Sequence, residues 1–275
     1  MSVDLEDYFQ VSAFNSVIDQ KSWPGIPGRV EQNTEKLLEL FDVCNITATF
    51  FVLGWIAERY PHLLARISGA GHEVASHGMR HTRVSAQKPD EFLEDIRTSK
   101  QILEDCTGKA VKGYRAASFS INAATPWAFE KLVEAGFLYS SSVYPVRHDH
   151  YGMPDAPRFA WHPVSGEPFR EIPLTTCNLS GLNVPAAGGG YFRLYPYRFS
   201  KWLIRRVNDR DGQSAVFYFH PWEIDASQPR VEGLSRKTRF RHYLNLDRMA
   251  NRLTRLGRDF EWQSMDEVFL NGGPA

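Results

Sequence analysis

The sequence predicts an α/β fold: a mostly parallel sheet with helices outside it, closed or nearly closed into a barrel. Three observations predict it. Strand-length runs of β-branched and aromatic residues alternate with amphipathic runs at helical spacing. About seven such strand-length runs occur, enough for a sheet to curl toward closure. No linker rich in Pro, Gly or Ser, no internal repeat and no low-complexity segment divides the 275 residues, so a single domain over 1–275 is expected.

The elements follow in order. Ser2 to Asp4 is a short strand. Val30 to Phe41 places Leu37, Leu38 and Phe41 at helical spacing. Thr47 to Leu53 is a β-branched and aromatic strand, and Trp55 to Ile67 is helical again. Glu73 to Ser76 is a short buried strand. Phe92 to Leu103 carries Phe92, Ile96, Ser99 and Leu103 on one face, and Pro89-Asp90 suits its start. Val111 to Tyr114 is a strand, Thr125 to Ala135 a helix stopped by Gly136, and Leu138 to Ser142 and Glu171 to Thr175 are strands. Tyr197 to Val207 is a helix, Ala215 to Phe219 a strand and Leu246 to Leu256 a last helix. Two stretches, Tyr144 to Arg170 and Cys177 to Tyr195, read as long irregular loops, which in a compact domain are usually functional.

Composition excludes several classes. With 43% hydrophobic and 23% charged residues a sizeable core is expected and disorder is not. Lys plus Arg balance Asp plus Glu at 32 each, so no global basic field exists to hold nucleic acid or an anionic membrane. Cys44, Cys106 and Cys177 are scattered and odd in number, which reads as buried free thiols in a reducing compartment. The opening Met1-Ser2-Val3-Asp4-Leu5-Glu6-Asp7 carries acids where a secretion signal carries bases, and runs such as Ala48 to Leu53 are too short to span a bilayer. A soluble, cytoplasmic protein is expected.

Polar residues at strand ends carry the chemistry, because α/β sheets and barrels place reactive groups at the carboxyl edge. His77 and His81 follow the strand Glu73 to Ser76. Four residues apart, they share one face of a helical turn and both can bind one divalent ion. Gly78 follows His77 where a zinc metalloprotease would carry Glu, so the third ligand and the base come from elsewhere. The first strand ends in Asp4, Glu6 and Asp7. Arg115 follows Gly113-Tyr114, and His220 sits between Val216-Phe217-Tyr218-Phe219 and Pro221-Trp222-Glu223. Each has an ordinary reading as helix cap, surface stack or core histidine. Four at one edge are harder to dismiss.

With these residues the chain resembles the polysaccharide deacetylases, the NodB-homology proteins of carbohydrate esterase family 4. Ser2-Val3-Asp4-Leu5-Glu6-Asp7 loosely resembles their first motif, His77-Gly78-Met79-Arg80-His81 the second, Arg115-Ala116-Ala117 the third and Tyr218-Phe219-His220 the fifth. Val3 to Val11, Gly113 to Ala116, Gly188 to Arg193 and Phe217 to Asp225 look like the subfamily tied to exosortase (PEP-CTERM) exopolysaccharide loci. Gln228-Pro229-Arg230 and Arg241-His242-Tyr243 fit its C-terminal extension, which starts at about 221. There are two departures: Ala117 stands where the third motif has Pro, and Ser140 where the fourth has Asp.

The resemblance implies a distorted (β/α)7 barrel that removes acetyl groups from an N-acetylated polysaccharide or oligosaccharide. One divalent ion, Zn with Co, Ni or Mn also suited, would be held by His77, His81 and either Glu6 or Asp7. Asp4 would accept a proton from water, Arg115 would pair with Asp4 and orient it, and His220 would protonate the leaving amine. A backbone N–H near Tyr144 would complete an oxyanion pocket. Trp161, Tyr191 and Trp222 would stack on sugar rings, and Gly188-Gly189-Gly190 would line the sugar groove with Arg193 or Tyr191 touching substrate. Two rival readings are a related amidohydrolase acting on a small molecule and, because of Ala117 and Ser140, a catalytically impaired polysaccharide-binding protein.

Overall fold

The computed structural model describes residues 1–149 and 151–272. Its strands are β1 (Ser2–Leu5), β2 (Thr49–Val52), β3 (Glu73–Ser76), β4 (Gly113–Tyr114), β5 (Tyr139–Ser140), β6 (Arg170–Glu171), β7 (Thr176–Leu179), β8 (Leu182–Pro185) and β9 (Tyr218–Phe219). Seven of them form one sheet in the order β6-β5-β4-β3-β2-β1-β9, and every pairing in it is parallel. The helices are α1 (Val30–Val43), α2 (Gly54–Arg59), α3 (Pro61–Gly69), α4 (Pro89–Thr107), α5 (Trp127–Glu134), α6 (Gly189–Leu194), α7 (Tyr197–Asp211), α8 (Arg236–Tyr243), α9 (Leu246–Asp259) and α10 (Met265–Phe269).

The sheet curls into a barrel that does not close through a strand ladder. β6 and β9 are its edges. Thr175 bridges the seam: its N–H reaches the Val216 carbonyl at 3.5 Å and its Oγ1 accepts from Val216 N at 2.6 Å. Period-two alternation sorts the strand residues. Val3, Leu5, Phe50 and Val52 face outward into the core shared with the helices. Phe51, Ala75, Tyr139, Ile172, Val216 and Tyr218 fill the interior, with Met265 of α10 below them. Ser2 and Asp4 alternate with Val3 and Leu5 and both bond Arg115, so the interior contains a buried polar group by design of the pattern.

Several elements depart from expectation. The helix expected over Trp55 to Ile67 is two, because Pro61 cannot donate to the preceding turn and starts α3 anew. The stretch from Cys177 to Tyr195 is not irregular. It holds the antiparallel hairpin β7–β8, turned at Ser180-Gly181 with both φ positive, and then α6. α8 and α10 also form where no helix was expected. Of the three free cysteines only Cys177 is buried; Cys44 and Cys106 are partly exposed. No helix among the described residues is long and apolar enough to cross a membrane.

Gly113 shows how tightly the interior packs. It sits beside Tyr139 in the β4–β5 register, and a Cβ there would overlap the Tyr139 ring. That ring is fully buried and its hydroxyl donates to Glu73 at 2.9 Å, so it has no room to yield. Gly113→Ala is expected to lower stability by about 1–3 kcal/mol, the usual cost of overpacking, as read from the midpoint of urea denaturation.

Candidate functional site

The carboxyl ends of β1, β3, β4 and β9 converge. Asp4 is the inward residue before β1 ends, and Glu6 follows after a bend closed by Glu6 N to the Asp4 carbonyl at 3.0 Å. His77 and His81 come from the loop after β3. This loop is not a helical turn: Gly78 and His81 both take positive φ, +75° and +55°. The reversal brings the two rings to 5.2 Å, and Asp95 on α4 fixes the loop by accepting from Met79 N at 3.1 Å. Any side chain at Gly78 would press on that carboxylate.

Glu6, His77 and His81 each offer a ligand atom within 4.8 Å of the others, and all three are buried. His77 Nδ1 lies 2.8 Å from the Arg115 carbonyl, so it carries the proton and leaves Nε2 as the lone-pair donor. Ser12 Oγ lies 3.3 Å from His81 Nδ1 and is itself held by Ser118 Oγ at 2.6 Å. Burial lowers the pKa of both imidazoles, that of His81 to well below the usual range, so both are neutral near pH 7. Glu6 Oε2 lies 3.1 Å from His81 Nε2, yet it has no hydrogen-bond partner. A buried orphan carboxylate oxygen beside two neutral imidazoles is a donor set that fits a divalent cation. Burial raises the Glu6 pKa to about 7, partly offset by His220.

Arg115 is fully buried across the interior. It donates to Asp4 Oδ1 at 2.6 Å, Ser2 Oγ and Ser141 Oγ at 2.9 Å, and the Ser141 carbonyl at 3.0 Å, while its guanidinium lies 4.0 Å over the Phe51 ring. Asp4 is thereby clamped with its other oxygen 4.0 Å from His220 Nε2. His220 Nε2 also sits 3.1 Å from Glu6 Oε1. Burial opposes charge on His220, but Glu6, Glu223 and Asp4 outweigh it and hold its pKa up at about 9.

The structure separates other candidates from this cluster. Asp7 turns away: its Oδ2 accepts from Arg29 N and Val30 N at 2.6 and 3.0 Å at the start of α1, and its Oδ1 from Tyr8 N at 2.8 Å. Arg193 is buried at 2% exposure and spends its guanidinium on Glu223 and on the carbonyls of Arg241, His242 and Leu244, so it presents nothing to a substrate. Trp222 is 5% exposed and stacks on His220 and His242, with no open face for a sugar ring. Trp161 pairs its backbone with Glu171 and packs on the main core. Tyr144 is buried and donates to the Ala187 carbonyl at 2.7 Å, stacked on Tyr151. Tyr191 stays half-buried and packs with Tyr151 against the barrel interior. The glycine run lies at the same rim as His220, since Gly188 sits against Tyr218 and Gly189 against Glu223.

Two residues here were not singled out in the sequence. Glu223 follows His220 by three and bonds it. Glu171 on β6 pairs with Ser140 in register, and its Oε1 accepts from Ser142 N and Val143 N at 2.8 Å each. A buried carboxylate thus stands beside Ser140, and burial raises its pKa to about 7. Ala117 opens a turn in which Ser118 and Phe119 both have positive φ, rare for non-glycine residues and typical of functional sites.

The barrel and its rim cluster define the class: an α/β half-barrel of the NodB type with a candidate His-His-Glu cation site. A polysaccharide deacetylase family model matches residues 21–135, and a domain of unknown function (DUF3473) matches residues 141–270. Peptidoglycan-N-acetylglucosamine deacetylase of Bacillus cereus is 34% identical over 82 residues, 30% of this chain and 30% of that protein. Peptidoglycan deacetylase of Helicobacter pylori is 32% identical over 113 residues, 41% of this chain and 38% of that protein. Chitooligosaccharide deacetylase of a Bradyrhizobium species is 30% identical over 88 residues, 32% of this chain and 40% of that protein. The chain therefore spans well under half the length of these relatives. A Mycobacterium smegmatis structure assigned to the polysaccharide deacetylases shares the fold, with a TM-score of 0.61 at 20% identity over 98% of this chain and 87% of that one. The likeness to the polysaccharide deacetylases thus runs, by the family model, over residues 21–135.

The contrast between the two acids after β1 is measurable. Asp7→Ala is expected to cost about 1–3 kcal/mol of stability, because buried N–H groups at the start of α1 lose their acceptor, and to leave cation affinity unchanged. Glu6→Ala is expected to do the reverse, as read by thermal unfolding alongside titration with zinc.

Proposed function

We propose that this protein is a metal-dependent polysaccharide N-deacetylase. The observation that carries the reading is one cluster holding a cation-type donor set, Glu6, His77 and His81, between the Arg115-clamped Asp4 and His220. A divalent ion bound there, zinc in our reading, would polarise the acetyl carbonyl and acidify water. Asp4 accepts one proton of the attacking water as its oxygen bonds to the acetyl carbon. The C–N bond then breaks, its electrons pass to nitrogen, and the Nε2 proton of His220 completes the amine. Acetate and a free sugar amine leave. Arg115 keeps Asp4 aimed through two-sided anchoring on Ser2 and Ser141. The relatives named as peptidoglycan and chitooligosaccharide deacetylases support an N-acetylated glycan as substrate. Exopolysaccharide assembly as the setting rests on the subfamily resemblance of Gly188 to Arg193 and Phe217 to Asp225.

A second reading has one specific support. An allantoinase shares the fold at a TM-score of 0.55 and 15% identity, so the barrel alone does not select a glycan. Acetate release from a panel of N-acetylated oligosaccharides, run beside allantoin and with and without a chelator, decides between them. Chelator-sensitive acetate release is expected. Turnover of allantoin alone, or glycan binding without acetate release, would overturn the reading.

Two sets of variants test the roles. His77→Ala is expected to reduce zinc content by at least about tenfold in elemental analysis, and undiminished occupancy would remove His77 from the site. Asp4→Asn and His220→Ala are each expected to lower turnover by about 10²–10⁴-fold with zinc still bound. Turnover near that of the parent protein in either variant would exclude that residue.

A further inference from the structure

We propose that Glu223 is a positioning residue: it accepts a hydrogen bond from Nδ1 of His220 and fixes the ring orientation so that the Nε2–H faces Asp4 and Glu6, and Arg193 holds it there. The inference rests on the reading of His220 as proton donor to the leaving amine.

The geometry is closed on every side. Glu223 Oε1 lies 2.9 Å from His220 Nδ1 and also accepts the backbone N–H of His220 at 3.1 Å. An ionised carboxylate only accepts, so Nδ1 must carry a proton, and Nε2 is the nitrogen left to act in the site. Glu223 Oε2 takes Arg193 Nε at 2.7 Å. Arg193 is anchored in turn by NH1 to the carbonyls of His242 and Leu244 at 2.9 and 2.6 Å, and by NH2 to that of Arg241 at 3.2 Å. The ion pair is almost wholly buried on both partners. Trp222 restrains the ring from another direction, stacking on His220 at 5.0 Å and on His242 at 4.1 Å. Gly189 completes the seat, because a Cβ there would overlap both carboxylate oxygens of Glu223. The glycine run that reads as a sugar-binding loop therefore has a different duty at its middle position: it lets the carboxylate in.

A purely structural role, in which Glu223 only neutralises Arg193, makes a different prediction. Orienting a proton donor matters when the leaving group needs a proton. It matters little for 4-nitrophenyl acetate, whose phenolate leaves unaided. Glu223→Gln is therefore expected to lower kcat on an N-acetylated oligosaccharide by about 10²-fold or more, with KM changed by less than about threefold. On 4-nitrophenyl acetate the loss is expected to stay within about threefold. Gly189→Ala, which retains Glu223 but displaces it, should reproduce the same split, and Glu223→Asp should recover part of the loss. Equal losses on both substrates, or no loss on the oligosaccharide, would overturn the proposal. A readout free of activity separates this inference from the deacetylase reading. In the zinc-loaded parent protein, NMR of the histidine side chains should show a hydrogen-bonded Nδ1 proton on His220 that disappears or moves strongly in Gly189→Ala. Its presence without any acetate release would overturn the deacetylase reading and leave the positioning by Glu223 standing. Its absence would refute the positioning by Glu223 whatever the activity.

Discussion

Arg115 is the group on which the rest of the site depends. A guanidinium at the centre of a barrel is costly to desolvate, and a carboxylate beside it is costly too. The cost is offset only where nearly every donor finds an acceptor. Here four donor contacts go to Asp4, Ser2, Ser141 Oγ and the Ser141 carbonyl, and the flat face lies on Phe51. These partners come from β1, β2 and the turn after β5, so one side chain fixes the relative positions of three strand regions. Its own carbonyl, accepting from His77 Nδ1, sets the imidazole of the candidate cation site. Losing the guanidinium would leave Asp4 without its hydrogen-bond donor and Ser141 Oγ without a partner in a buried interior, and would take the aim of Asp4 with them.

The candidate site is also where two stretches of the chain become one. The segment matched by the deacetylase family model, 21–135, contains His77, His81 and Arg115. The segment matched as a domain of unknown function, 141–270, contains His220, Glu223 and Arg193. Asp4 and Glu6 lie before both. Sheet order brings them together, since β1 lies between β9 and β2, and β3 is next. Parallel register puts all their carboxyl ends at one rim, so residues more than 200 positions apart meet without any dedicated connection.

Much of this was legible in the sequence, for identifiable reasons. Outward strand residues such as Val3, Leu5 and Phe50 are apolar, and helices such as α4 repeat their apolar face, so alternation and period carried the parallel fold. The failures are equally local. α8 carries Arg236, Lys237, Arg239 and Arg241 with no apolar stripe, so periodicity had nothing to register. α6 begins in glycines, the poorest ordinary helix formers, because Glu223 needs the space at Gly189. The hairpin β7–β8 could have been found from Ser180-Gly181, a turn pair between two strand-length runs. Glu6 and Asp7 could not be separated from sequence. The choice depends on where α1 begins, some twenty residues later, because its first N–H groups claim Asp7 and leave Glu6 to the histidines.

The two groups flanking the histidines are held by the same physical device. Asp4 is aimed by Arg115, and His220 is aimed through Glu223 by Arg193. Each arginine is buried, and each uses its remaining donors on backbone carbonyls or hydroxyls rather than on solvent. A planar, permanently charged fork suits this better than lysine would, since it satisfies a carboxylate and several fixed acceptors at once. The consequence is preorganisation. Neither Asp4 nor Glu223 has freedom to rotate away, so the distance between Asp4 and His220 is set by two anchors, Arg115 after β4 and Arg193 on α6, and not by contact between them. A site built this way loses little on reorganisation when a substrate enters, which is what electrostatic stabilisation of a charged transition state requires. It also explains why an irregular rim is tolerated: α6, the 3-10 turn after β9 and the loop carrying Ser118 and Phe119 bear the unusual backbone and packing features, while the strands beneath them stay regular.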